Sequence, residues 1–475
     1  MAESPELAEI VTEPALDPEL AEVVRLRARV ARFGTGESDA GDLAGIGRRL
    51  VELALPMRAR VVRAQLPLPR NCYAQAREMV DAQTACAQHH MRIAQEMRSP
   101  YLYGFRGNPE VLDEGLALLA DAFETCCVSG IIPPQGFWLA AHGLYLKARA
   151  EGAGNAIETY KRLLALSTIQ PESFAASELI QVFGLVSALA SAGDLVNGHG
   201  AIPGQGWFWV DVAQDAPPVA IVRRDPPPLD DLVYFSAASL ARAVSERIQK
   251  LAGASGDPSD DGGSEREVVS SDEALLRRLR ERWAMPPRRS QPRRRSEYSV
   301  QVCCGLDHVW ERLVRGERAS SPPLEWMVQN ESPSGFAIMR IAGTGGSLSA
   351  GMAIALRREP AAPWSVCVVR WIRSEQPEQV ELGLQLVAQA AIPVRVAFRN
   401  GPSSKSPVRA LVLPPLEAVR RHQAVLAPAG TYAARRFMLM HEGERLYVAQ
   451  GRLLSLDMQT EAIELFQFEV DPYPI

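Results

Sequence analysis

The sequence predicts a multidomain α+β protein, with an all-α N-terminal domain, a C-terminal all-β barrel and an additional β-rich extension. Three observations carry this. A length of 475 residues exceeds what one core holds. Apolar residues recur at helical spacing up to about residue 195, and beyond about residue 297 the pattern changes to short apolar runs separated by Gly, Pro and Ser. With 47% hydrophobic residues, 23% charged residues and a net charge of −5, the composition is globular, which excludes collagen-like and fully disordered chains. No run of eighteen apolar residues occurs, so no membrane insertion is expected. The acidic start MAESPELAEIVTEPALDPELAE lacks a charged-then-apolar leader, so the expected location is cytoplasmic. The seven cysteines form no C-x-x-C, and they read as free thiols of a reducing compartment.

Residues 1–252 are expected to form the helical domain. From Asn71 to Met97, Tyr73, Ala76, Met79, Val80, Thr84, Ala87 and Met91 fall near helical spacing with no Gly or Pro between them. Asn108-Pro109 opens another helix, Pro suiting a first turn whose N–H groups lack helical partners anyway. Further amphipathic segments lie at 136–150, 155–167 and 173–192. The stretch Trp138–Tyr160 faintly resembles a tetratricopeptide unit, but no second copy follows at a 34-residue period. A lone unit cannot bury both faces, so a generic helical pair is the plainer reading. GWFWVDV and PVAIVR predict a β-hairpin near 206–223, and a helix follows at 235–252. Residues 253–273, GASGDPSDDGGSEREVVSSDE, read as a solvated flexible linker and the domain boundary. A basic helix and Arg-rich segment then span 274–296.

The barrel is expected over 297–400. EYSVQVCC, LEWMVQN, GFAIMRIA, MAIALRR, WSVCVVRWI and VELGLQLVA are its strands, with a helix at 305–317 inserted after the first. The runs up to AIELFQFEV carry the β signal through a C-terminal extension, 401–475.

Catalytic chemistry finds no support. No G-x-S-x-G elbow occurs. His89 and His90 are adjacent, so they point about 100° apart on a helix and not to one metal. GHGAIPGQG (198–206) and GTGG (343–346) lack the P-loop Lys and read as loop turns. No catalytic or metal residue is assigned, no cofactor is expected, and the chain reads as a non-enzyme.

Nine arginines lie between Arg277 and Arg295 against one Glu, a solvated face or an anion grip. Arg289-Ser-Gln-Pro-Arg293 is an R-x-x-x-R, but with 47 arginines against four lysines about five such spacings arise by chance. The rarer element is Asn330-Glu-Ser332-Pro-Ser-Gly335, a [D/N]-x-S-x-x-G between two strands, expected by chance about 0.1 times. Alone it also suits an ordinary hairpin whose Asn caps the turn and whose Gly takes a positive φ.

The ordered set, R-x-x-x-R, then [D/N]-x-S-x-x-G, then VVRWI (368–372) and ELGLQLVA (381–388), resembles the PilZ domain, a bacterial receptor module for cyclic di-GMP. The resemblance covers about residues 286–395. It departs from the usual pattern in the 37 positions between Arg293 and Asn330, which the inserted helix lengthens. It implies a PilZ-like β-barrel and a cyclic di-GMP site at Arg289, Arg293, Asn330, Ser332 and Gly335, with Arg288 and Arg294 as alternates. In this site the arginine forks meet phosphates and guanine edges, and Gly335 keeps a Cβ away from the ligand. The implied function is a receptor that couples nucleotide binding to rearrangement of the helical domain and to a protein partner. The alternative is a PilZ-like scaffold that binds no nucleotide. A nucleic-acid binder is disfavoured by acidic overall charge and by only Trp283 interleaving the arginines.

Overall fold

The computed structural model describes residues 17–33, 37–96, 109–198, 205–254, 271–288, 291–341, 348–376, 379–398, 406–416, 420–432, 434–443 and 445–471. Helices come first: α1 Pro18–Val30, α2 Glu37–Ala64, α3 Arg70–Glu96, α4 Pro109–Ser129, α5 Phe137–Glu151, α6 Gly154–Thr168, α7 Ala176–Leu189, α8 Ala238–Ala254 and α9 Ser271–Ala284. Local chemistry sets several of their ends. Asp17 caps α1 by accepting the Glu19 N–H at 2.9 Å, with Pro18 at the first helical position. At the end of α5, Gly152 takes the left-handed conformation (φ 70°) and its N–H closes on the Arg149 carbonyl. The buried faces of α2 to α6 merge in one core, with Leu50, Ala87, Leu119, Leu144 and Leu164 all fully enclosed.

A four-stranded antiparallel sheet sits on this core: β1 Asp194–Asn197, β2 Trp207–Val210, β3 Val219–Ala220 and β4 Val233–Ser236, ordered β1-β4-β2-β3. The predicted hairpin is its β2–β3 pair. Alternation divides the two faces of the sheet. Phe208 and Phe235 enter the helical core, whereas Trp209 and Tyr234 pack with Leu232 on the other side. Strands β1 and β4 escape the sequence pattern because four residues show too little alternation to separate from the adjoining helices.

The basic helix departs from the expected boundary. Most of the 253–273 segment lies outside the described residues, but the helix after it returns to the first core. Leu275, Leu276, Leu279 and Trp283 of α9 are buried there, and the Trp283 indole N–H donates to the Ala165 carbonyl at 3.1 Å. The helical unit therefore extends to residue 284, because the apolar stripe of α9 packs into that core.

Two closed barrels follow. The first has strands β5 Arg294–Cys304, β6 Leu324–Ser332, β7 Gly335–Ile341, β8 Ala353–Arg357, β9 Ser365–Arg373 and β10 Gln379–Ala388, ordered β10-β7-β6-β5-β8-β9, with helix α10 Leu306–Arg315 inserted after β5. The second has β11 Ile392–Phe398, β12 Val408–Leu413, β13 Ala424–Pro428, β14 Arg436–Glu442, β15 Leu446–Gln459 and β16 Ile463–Val470, ordered β11-β12-β13-β16-β15-β14. The extension is thus a complete barrel. It begins at β11, inside the range assigned to the first barrel, because β11 pairs with β12 and β14. Closure leaves neither sheet an open edge.

Each barrel has its own interior, and a third apolar cluster joins them. Val309 and Trp310 of α10 pack with Val366 and Val368 of the first barrel and with Leu411 and Leu465 of the second. The Trp310 indole N–H donates to the Val394 carbonyl at 2.8 Å. Backbone bonds tie the first barrel to the helices: Leu348 N–H to Leu66 O at 3.0 Å, and Ser374 N–H to Gly130 O at 3.0 Å.

Candidate functional site

The site lies where the first barrel meets the helical domain. Arg293 stands one residue before β5, and its Nη1 donates to Asn330 Oδ1 on β6 at 3.0 Å. Ladder irregularities fall on both sides of Asn330, one between Arg295 and Tyr298 on β5 and one between Val328 and Asn330 against β7. Such bulges re-aim a side chain relative to strict alternation, which brings Asn330 under Arg293. The arginine and the asparagine singled out in the sequence thus form one unit across 37 positions.

Ser332 and Gly335 close the β6–β7 hairpin. They face each other in register, Ser332 Oγ donates to the Gly335 carbonyl at 3.3 Å, and the Leu386 N–H reaches Ser334 O at 2.9 Å. What demands glycine at 335 is close approach, since a Cβ there would stand 2.0 Å from the Leu384 carbonyl oxygen. The left-handed φ that an ordinary hairpin reading assigns to this glycine is not adopted. Arg294 sits in β5 opposite Glu331. Arg288 is exposed at the cavity rim, and Arg289 lies outside the described residues. Glu331 accepts from Ser296 Oγ at 3.1 Å and from the Tyr298 hydroxyl at 2.6 Å. Burial and then that carboxylate push the Tyr298 phenol up to about 12, so it stays a donor.

Beside Arg293 opens a cavity of about 640 Å³, within the ~300–1,000 Å³ range of small-molecule sites. Its barrel wall is Arg293, Arg370 and Trp371, and its opposite wall is Glu172, Arg223 and Arg282 from the helical domain. With Arg288, five arginines face one glutamate. Glu172 is itself 3.3 Å from Arg373 Nη2. Trp371 is seated on Gly383 of β10, where a Cβ would come within 1.9 Å of the indole nitrogen, and the Arg373 guanidinium lies 5.1 Å from its ring. Burial, then Arg370, lowers Arg282 to about 10, and burial followed by Arg278 lowers Arg370. A cavity in which like charges are pressed together out of water is complementary to a small polyanion.

Sequence reasoning missed Arg223, Arg282, Arg370 and Glu172 as a group. Arg370 lay in the VVRWI run and Arg282 in the arginine block, but nothing local joins them, and Arg223 and Glu172 carry no motif. His89 and His90 are held by the backbone: His89 Nε2 is 2.8 Å from Phe33 O and His90 Nδ1 is 2.9 Å from Cys86 O. Among the described residues no group of three or more His, Cys, Asp or Glu is placed to hold a metal, and no helix is long and apolar enough to cross a membrane. Residues 199–204 and 342–347, which hold most of both Gly-rich strings, lie outside the described residues.

Three domain families match in succession. Residues 43–198 match the "Cyclic-di-GMP receptor FimW, N-terminal domain", residues 311–393 match the "Cyclic-di-GMP receptor FimW, middle PilZ domain", and residues 394–471 match the "FimW C-terminal beta-barrel domain". Asn330, Ser332, Gly335, Arg370 and Trp371 fall inside the middle match, while Arg288 and Arg293 precede it. The cyclic-di-GMP receptor FimW of Pseudomonas aeruginosa is 32% identical over 102 residues, which span 21% of this chain and 17% of that receptor. No solved structure matches the chain.

Proposed function

We propose that the protein is a cyclic di-GMP receptor that makes and breaks no bond in its ligand, a reading supported by the match of residues 311–393 to a PilZ domain between matches to an N-terminal and a C-terminal domain of the same receptor type. The observation that carries the proposal is the arginine-walled cavity at the foot of β5, where Arg293 is already oriented by Asn330. Cyclic di-GMP carries two phosphates and exposes guanine O6 and N7 edges. A guanidinium fork meets either group with two parallel hydrogen bonds, which an ammonium cannot do. Asn330 holds one Arg293 nitrogen and so orients the guanidinium. Ser332 and Gly335 act at one remove, by keeping the β6–β7 hairpin tight and so holding Asn330 in place.

The cavity joins two domains, so occupancy bears on how they dock. We read the helical domain as the output surface, presented to a protein partner in the cytoplasm according to nucleotide state. Because one wall belongs to the barrel and the other to the helices, a ligand that touches both favours the docked arrangement.

Calorimetric titration of the full chain with cyclic di-GMP is the test. Binding is expected, and Arg293→Ala and Asn330→Ala should each weaken it by roughly 10- to 100-fold, the worth of a charge-assisted hydrogen bond. Heat-silent titrations of a folded chain would reject the receptor in favour of a PilZ-like scaffold.

A further inference from the structure

We propose that Arg282 and Arg223 of the helical domain, with Arg370 of β9, form a second phosphate-binding wall opposite Arg293, so that one cyclic dinucleotide bridges the helical domain and the barrel. This rests on the receptor reading above and assigns the half of the site that lies outside the PilZ domain.

Arg282 belongs to the last turn of α9, whose apolar face is locked into the helical core by Leu275, Leu279 and Trp283. Its guanidinium therefore projects from a rigid element of one domain toward another. Nη1 donates to Gln170 Oε1 at 2.7 Å and Nη2 to Ser173 Oγ at 3.0 Å, and both acceptors are neutral. Arg370 comes from the barrel and lines the same cavity. Among the described residues neither forms an ion pair. The carboxylates that act on them are Glu172, itself paired with Arg373 at 3.3 Å, beside Arg282, and Glu281 beside Arg370.

Arg223 enters from the turn after β3, exposed, with Nε donating to the Pro287 carbonyl at 2.9 Å. That bond pins the chain leading to Arg288 against the helical domain, so both walls converge at the start of β5. Like charges from two domains repel across the seam, and burial removes the water that would screen them. A ligand with one phosphate supplies charge for one wall, and a ligand with two phosphates spans both. The cationic walls and the roughly 640 Å³ between them thus favour a compact ligand with two separated phosphates over a mononucleotide.

The experiment uses the full chain with cyclic di-GMP, combining calorimetry with hydrogen exchange of residues 170–174 and 275–283. Arg282→Gln should weaken binding by about 10- to 100-fold and abolish ligand-dependent protection at 170–174. Arg223→Gln, at an exposed position where folding is safe, should lower affinity by a smaller factor in the same direction. If Arg282→Gln is less stable on melting, Arg223→Gln carries the test alone. Wild-type affinity and protection in both variants, together with lost binding in Arg293→Ala, would place the ligand on the barrel alone. The bridge would then be overturned while the receptor stood. Absence of binding to the unmodified chain would remove the receptor reading and the bridge with it.

Discussion

A Cβ on Gly383 would fall inside the indole of Trp371, and one on Gly335 would fall on the Leu384 carbonyl oxygen. Both glycines are spaces that a neighbour already fills. Gly383→Ala should therefore displace Trp371 from the cavity wall and cost about 1–3 kcal/mol, read as a lower melting temperature and a shifted tryptophan emission. His142 shows the same logic in a titratable group. Its Nδ1 accepts from the Tyr160 hydroxyl at 2.8 Å and its Nε2 donates to the Ala216 carbonyl at 3.1 Å, so both nitrogens are used in the neutral form. Burial pushes it down from the ordinary 6.5 to about 4. Its contribution is complete above pH 6.5, where it is neutral in both folded and unfolded chains, and is lost as pH falls toward 4. That is about 3 kcal/mol. Denaturant titrations at pH 7 and pH 4.5 should show this loss, and His142→Gln should flatten the pH dependence.

At the scale of elements, α9 and α10 do unlike work although each is a short amphipathic helix bearing a tryptophan. Trp283 buries α9 in the helical core, while Trp310 lets α10 fill the seam between barrels. Trp310→Ala should cost about 3–5 kcal/mol by leaving a cavity there, and it should uncouple the two barrels so that a single unfolding transition becomes two in calorimetry. The β6–β7 hairpin was legible from Asn330-Glu-Ser-Pro-Ser-Gly335 because a two-residue turn between alternating strands is local chemistry. The four-residue strands β1 and β4 were not, since their pairing partners lie up to 42 positions away. The same distance effect hid the return of α9: the apolar stripe was visible, but not the surface it would choose.

Over the whole molecule, the helical unit touches both barrels, the first through the Leu66 and Gly130 backbone bonds and the second through Ser177 Oγ donating to Glu461 Oε2 at 2.6 Å. Exposed pairs such as the latter add little, so this contact contributes little to holding the helical unit on the second barrel. Small-angle scattering of the full chain should show a smaller radius of gyration with cyclic di-GMP than without it, and Arg282→Gln should remove the difference. Unchanged dimensions would argue against rearrangement of the domains.

By itself the sequence determined the division into helices and strands, the inserted helix at 305–317, and the Asn330–Gly335 hairpin with an arginine segment ahead of the first barrel strand. Periodicity and turn chemistry act over a few residues, and those features need no more than that. Only the tertiary structure decided that Arg293 meets Asn330, that the extension closes as a second barrel, and that Arg223, Arg282 and Arg370 converge on one cavity. An arginine's sequence position records its charge but not its neighbours, and charges from three distant segments make a site only when folding brings them together out of water.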